Sequence, residues 1–149
     1  MTDAEALTLA LEEARAGAAA GEVPVGAIVV ENGVVIGRGQ NRVLRDLDPT
    51  AHAEIVALRE AARTLGNYRL AGCELFVTLE PCAMCAGAMI HARLSRLIYA
   101  AADPKAGAVS SVLEVLNHPR LNHQMIVTGG ELAEESGELL RSFFRQRRT

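Results

Sequence analysis

Two short segments restrict this chain more than any other feature: Asp48-Pro49-Thr50-Ala51-His52-Ala53-Glu54 and Thr78-Leu79-Glu80-Pro81-Cys82-Ala83-Met84-Cys85. In each, a proline stands just ahead of a run with helical periodicity, and proline is tolerated at a helix start but not in its interior. The metal-binding side chains of both segments therefore fall in first turns of helices. Unpaired N–H groups and the positive end of the helix dipole there favour thiolate over thiol. Cys82 and Cys85 share one turn and can point at one ion, while His52 adds a neutral nitrogen from the other helix. A fold for this chain has to bring those two helix starts together.

The rest of the sequence supplies a scaffold for that meeting. Leu7, Ala10, Leu11, Ala14 and Ala18 repeat at helical spacing behind a Thr2…Glu5 capping box, which predicts a first helix over about residues 3–20, ended by Gly21. Asn32-Gly33 is a favoured tight-turn pair and joins two predicted strands, Val25–Val30 and Val34–Gln40. Ile55, Leu58, Ala62 and Leu65 stripe a second helix that Gly66-Asn67 stops. Further strands are predicted at Cys73–Leu79, Leu94–Ala100 and Gln124–Thr128, with helices at Ala83–Ala92 and from Glu131 to about Arg147. Ser111 and Glu114 are expected to cap a short helix before the loop that carries His118 and His123. Short strands alternating with helices argue an α/β fold with a sheet covered on both faces, and the hairpin makes the sheet mixed.

At 149 residues, half of them hydrophobic and 22% charged, the expectation is one globular domain over 1–149. No apolar run approaches the ~20 residues that span a bilayer, and the acidic start MTDAEALTLA does not resemble a signal peptide, so a cytoplasmic protein is expected. Three cysteines do not make a disulfide framework; Cys-x-x-Cys in such a chain points to metal or redox work. The net charge of −3 does not suggest nucleic-acid binding. However, four arginines fall between Arg141 and Arg148, a run that is ordinarily a solvated helix face and is also open as a phosphate-binding patch.

Three protein ligands leave tetrahedral zinc one position for water, the mark of a catalytic site, and zinc makes that water acidic enough to ionise near neutral pH. Glu54, two residues from His52, lies near the metal yet points elsewhere, as a proton shuttle requires. The reaction read from this set is addition–elimination at an amidine-like carbon of a nucleobase. A closed structural site completed by His91, His118 or His123 is the alternative, but it leaves Glu54 without a purpose. A zinc-stabilised interaction module and a thiol redox role for Cys82 and Cys85 are the other readings.

His-x-Glu followed by Pro-Cys-x-x-Cys is the signature of zinc nucleobase deaminases, and the chain resembles the cytidine/deoxycytidylate deaminase superfamily. Within it, the stretches Glu22 to Ala27, Asn41-Arg42, Asn67 to Leu70, Thr78 to His91, Lys105 to Ala108 and His118 to His123 are similar to the bacterial tRNA adenosine deaminases. That resemblance implies a three-layer α/β/α sandwich with a five-stranded mixed sheet, a homodimer, one Zn2+ on His52, Cys82 and Cys85, and no organic cofactor. It implies conversion of the wobble adenosine of an arginine tRNA to inosine, with Glu54 catalytic. Asn41 would recognise the flipped base, with Ala53, Glu80 and Pro81 shaping the pocket. Asp103, Lys105, His118, Asn122, Arg145, Arg147 and Arg148 would meet the anticodon loop. Deamination of a free base such as guanine or cytosine, or of a nucleoside, is the alternative. Asn41 and Asp103 can also be read as plain turn residues. Phe143 and Phe144, like Cys73, Met84 and Met89, are read as packing. Ala102, Ser110 and Val43 depart from the residues common in relatives.

Overall fold

The computed structural model describes residues 1–147. The elements, in chain order, are α1 (Asp3–Ala19), β1 (Gly26–Glu31), β2 (Val34–Gln40), α2 (Ala53–Leu65), β3 (Glu74–Leu79), α3 (Ala83–Ala92), β4 (Arg96–Ala101), β5 (Ile126–Gly129) and α4 (Ala133–Arg147). Thr2 caps α1 by accepting from the Glu5 N–H at 3.1 Å. Asn32 and Gly33 both take positive φ, 49° and 78°, the turn that suits the right-handed twist of a hairpin. Gly66 ends α2 in the left-handed conformation.

The sheet order is β2-β1-β3-β4-β5. β1 runs antiparallel to both neighbours, while β3, β4 and β5 are parallel. Alternate residues face opposite sides, as strand geometry demands. Ala27, Val29, Leu75, Val77 and Leu97 pack with α2 and α3 in one apolar cluster, and Ile28, Val30, Phe76, Ile98 and Ala100 join α1 in the other. α4 packs beside α1 on the second face, fixed there by the Ser136 hydroxyl, which donates to the Thr78 carbonyl. The result is a three-layer α/β/α sandwich around a five-stranded mixed sheet.

This topology places the site. Because β1 opposes β3, the beginning of β1 lies beside the end of β3: Gly26 N–H donates to the Thr78 hydroxyl at 3.1 Å. Gly26 also pairs with Gln40, the last residue of β2. The ends of β2 and β3 and the start of β1 thus meet at one edge, next to the end of β4, where α/β sheets ordinarily bind ligands. Gly39 lets α2 reach that edge, since a Cβ there would fall 2.2 Å from the Ala53 carbonyl.

Several expectations are corrected. No helix forms at Ser111–Glu114; Ser111 and Val112 lie in a turn and a bend and Leu113 and Glu114 are irregular, because the Ser111 N–H and hydroxyl both donate to Glu80 instead. β1 begins one residue later than expected. β5 begins two residues later, since the Met125 backbone N–H donates to the Asn117 side chain at 2.7 Å before the ladder starts. β4 likewise begins at Arg96, after Arg93 turns the chain with φ 61°. Met84 and Phe144 are exposed, by 37% and 45%, rather than packed. α4 buries only Ser136 fully, and the Phe143 ring meets that of Phe144 edge-on.

Candidate metal centre and active site

His52 and Cys82 occupy equivalent places: each is the residue immediately before a helix, in extended conformation, and neither caps that helix with its side chain. Cys85 follows one turn into α3 and is fully buried. His52 Nδ1 lies 3.5 Å from Cys82 Sγ and 3.6 Å from Cys85 Sγ. A nitrogen and a sulfur at two corners of a tetrahedron around zinc are about 3.5 Å apart, given bonds of about 2.0 and 2.3 Å. The donor set therefore fits zinc in both chemistry and spacing. Among the described residues no other His, Cys, Asp or Glu joins this group. His123, one candidate for a closing ligand, instead places Nε2 2.5 Å from the Leu94 carbonyl, and His91 is exposed on α3.

The electrostatics suit a cation. The Cys82 thiol is pushed down to about 3, first by its contact with Cys85 and then by His52. Cys85 is pushed up by the same contact and by burial, and His52 is raised chiefly by its bond with Cys82. A thiolate sharing one proton with a second thiol gives that proton up when a metal binds. Glu54, only 4% exposed, is raised to about 7 by burial. That places it where a general base and acid at neutral pH works best.

A cavity of about 200 Å³ opens over these groups, lined by Asn41, His52, Ala53, Glu54, Cys82 and Asp103 among others. Asn41 serves both as turn and as wall: its side-chain oxygen accepts from the Val43 N–H at 3.2 Å while the residue lines the cavity. Asp103 does the same, accepting from the N–H groups of Lys105 and Ala106. Pro81 is buried between two lining residues, Glu80 and Cys82, without lining the cavity itself, and its carbonyl accepts from Ala108 N–H at 2.8 Å. Lys105 and Arg145 line a separate hollow of about 430 Å³ with Arg141 and Phe144. Arg145 also pairs with Glu138 at 2.8 Å, and Arg147 stacks on the Phe143 ring. His118 and Asn122 are exposed on the loop between β4 and β5 and line neither hollow. Arg148 lies outside the described residues. Ala102 is exposed, and Ser110 avoids the left-handed region that would favour glycine.

Glu80 lines the cavity too, but its carboxylate is occupied. It accepts from the N–H groups of Asp103, Val109, Ser110 and Ser111 at 2.9–3.1 Å and from the Ser111 hydroxyl. Glu80 is 2% exposed, and although burial raises its pKa, these bonds prevail and hold it at about 2. It thereby folds the 103–111 loop against the site, and Gly107 passes so close that a Cβ would strike the carboxylate. A folded-state pKa below the ordinary 4.5 means that the stabilisation is complete above that value and is lost as pH falls toward 2. Glu80→Gln is expected to lose on the order of 3 kcal/mol at pH 7, the equivalent of that shift. Urea unfolding at pH 7 and pH 3 checks this: the gap between wild type and variant should shrink at the lower pH.

Fold and donor set together define a zinc-dependent deaminase of the cytidine deaminase-like class. The chain belongs to the MafB19-like deaminase family, which it matches over residues 1–148. It is 47% identical over 147 residues to the tRNA-specific adenosine deaminase of Haemophilus influenzae, covering 98% of this chain and 85% of that one. Among solved structures it resembles one from a study of A-to-I editing by tRNA:A34 deaminases at the wobble position, with TM-score 0.88 and 47% identity over 91% of this chain and 99% of that one. It also resembles a guanine deaminase from Nitrosomonas europaea, with TM-score 0.80 and 32% identity over 94% and 83% of the two chains.

Proposed function

We propose that this protein deaminates adenosine to inosine in tRNA, at the wobble position of an anticodon loop, that of an arginine tRNA being the expected substrate. The observation that carries the reading is the triangle of His52, Cys82 and Cys85 beside a buried Glu54 at the floor of a small cavity. The likeness to tRNA:A34 deaminases over nearly the whole chain supports the choice of substrate. Zinc, held by the three donors, supplies an acidified water. Glu54 takes one proton from the attacking water and passes it to the ring nitrogen, then takes the second from the hydroxyl added to the carbon and passes it to the amine, which departs as ammonia as the carbonyl forms. Asn41 holds the base, and Ala53, Glu80 and Pro81 keep the walls in place. Bases of a single-stranded loop are already partly unstacked, so turning one into a cavity of this size is inexpensive. Lys105, Arg145, Arg147 and Arg148, together with Asp103, His118 and Asn122, meet the surrounding RNA.

The likeness to guanine deaminase favours a second reading, deamination of a free base. An anticodon stem-loop with a wobble adenosine, assayed beside free guanine and cytosine, separates the two. Inosine in the RNA alone is the expected result, and ammonia from free guanine alone overturns the tRNA assignment. The reading takes residues 1–149 as one deaminase domain acting in the cytoplasm, where its substrate is found. It also takes the active form as a homodimer. The apolar groove of Ile55, Leu58, Ala62, Leu70 and Ala88, beside a Tyr68 that is 70% exposed, supports self-association through the α2–α3 face.

A further inference from the structure

We infer that Glu22 and Arg45 are a positioning pair for the target base, acting by fixing Asn41 in the wall of the cavity. The inference rests on the reading above in which Asn41 holds the base.

Glu22 follows the end of α1, and its side chain is only 1% exposed. It accepts from the N–H groups of Leu44 and Arg45 at 3.2 and 2.9 Å and from Arg45 Nε at 3.1 Å. The other arm of the Arg45 guanidinium turns back along the chain. It donates to the Asn41 carbonyl at 2.7 Å and to the Gln40 side chain at 2.9 Å. One buried carboxylate thus holds the 42–48 loop from within, and through Arg45 it grips the backbone of Asn41. The Asn41 side-chain oxygen is engaged by the Val43 N–H of the same loop, so its amide N–H groups remain for a base.

Beyond its own turn bonds, from Asp46 N–H to the Arg42 carbonyl at 2.9 Å and from Asp48 N–H to the Val43 carbonyl at 3.2 Å, and an Arg59–Asp48 pair at 3.6 Å, the loop has few ties to the rest of the fold. Leu44 and Leu47 are 67% and 89% exposed, so it has no apolar anchor there, and Leu47 adopts φ 49°. The Arg42–Asp46 pair is a surface contact with both side chains substantially exposed, and pairs of that kind contribute little. The Arg42 N–H bond to Ala51 ties only the base of the loop. A buried charge is retained at a cost unless fully bonded. Here the bonds all run to the segment that carries Asn41. Val23 and Val25, on either side of Pro24, line the same cavity, so the chain enters the wall one residue after Glu22.

A double-mutant cycle on the zinc-loaded enzyme with the anticodon stem-loop tests this. Arg45→Ala should raise KM about 5–10-fold, the loss of one or two hydrogen bonds, with kcat within about twofold and zinc content unchanged. In an Asn41→Ala background the same change should add less than about twofold. Arg45→Lys should recover only part of the loss, because an ammonium lacks the fork that spans Glu22 and the Asn41 carbonyl. Glu22→Gln, which keeps the shape but not the charge, should reproduce the KM change. Fully additive effects of Arg45→Ala and Asn41→Ala, or a fall in kcat and melting temperature at constant KM, would overturn the inference. If Asn41→Ala itself leaves KM unchanged, the role given to Asn41 falls as well, which separates that failure from the failure of the pair alone.

Discussion

Glu54→Gln is expected to leave zinc bound and the fold unchanged while lowering deamination at least ~10³-fold, within the range that positioned proton transfer contributes. Glutamine matches the shape of the side chain and can occupy the same buried space, so packing around α2 has no reason to change. What is lost is the capacity to carry a proton. The carboxyl is burdened by burial, which lifts its pKa from 4.5 to about 7. At neutral pH it therefore accepts and releases a proton with little bias either way. The proposed reaction would use that property twice, relaying one proton from water to the ring nitrogen and a second from the added hydroxyl to the leaving amine. Because one group serves both transfers, no neighbour replaces it: Cys82 and Cys85 are committed to the metal, and Asp103 is committed to its own turn. Zinc stoichiometry and ammonia release, measured on the same preparation, check the result. A variant with a full zinc complement and a tenth or more of the wild-type rate would remove Glu54 from the chemistry. The same result would revive the reading of the metal as structural.

The parts of this molecule that were legible in the sequence are those whose causes are local. Asn32-Gly33 dictates its turn whatever surrounds it, and β2 begins and ends where expected. Pro81 fixes the entry to α3, whose bounds match the expectation at both ends. The ligand set was legible for a similar reason, since two helix starts carry it and each start is marked by a nearby proline. What escaped was decided by partners far away in the chain. Ser111 has the chemistry of a helix cap, but Glu80, 31 residues earlier, claims both its donors. Phe143 and Phe144 look like core, yet of the residues of α4 only Ser136 is buried at full depth. Glu22 is a single acidic residue at the end of a helix, and nothing nearby in sequence marks it as the buried partner of Arg45. Lys105 and Arg145 are forty residues apart, and only the folding of α4 back over the sheet puts them in one hollow. Loops held by buried carboxylates are thus the features that sequence periodicity passes over, and in this fold two such loops flank the site.

Cys82→Ala should abolish both deamination and the dependence of stability on zinc. Cys82 is the donor most disposed to be a thiolate, pushed down to about 3 by Cys85 and His52, and it stands at the start of α3 where the helix dipole adds to that preference. Without it, His52 and Cys85 remain as two donors on different helices, and a two-donor site does not hold zinc at a full complement in the presence of a competing chelator. The consequence for stability follows from mass action. A ligand bound only by the folded state contributes about 4 kcal/mol when present at a thousand times its dissociation constant. In a domain of this length that is about 8–16 °C in melting temperature. The wild type should therefore melt lower by roughly that interval after chelation and recover when zinc is returned. Cys82→Ala should melt at one temperature regardless of zinc, close to that of the chelated wild type. It is a cleaner test than Cys85→Ala, because Cys85 is fully buried and its loss adds a packing defect of its own. Alanine at 82 that kept one zinc per chain and the zinc-dependent melting shift would show that the metal is held by another set of donors, and the geometry of His52, Cys82 and Cys85 would then have to be explained as packing.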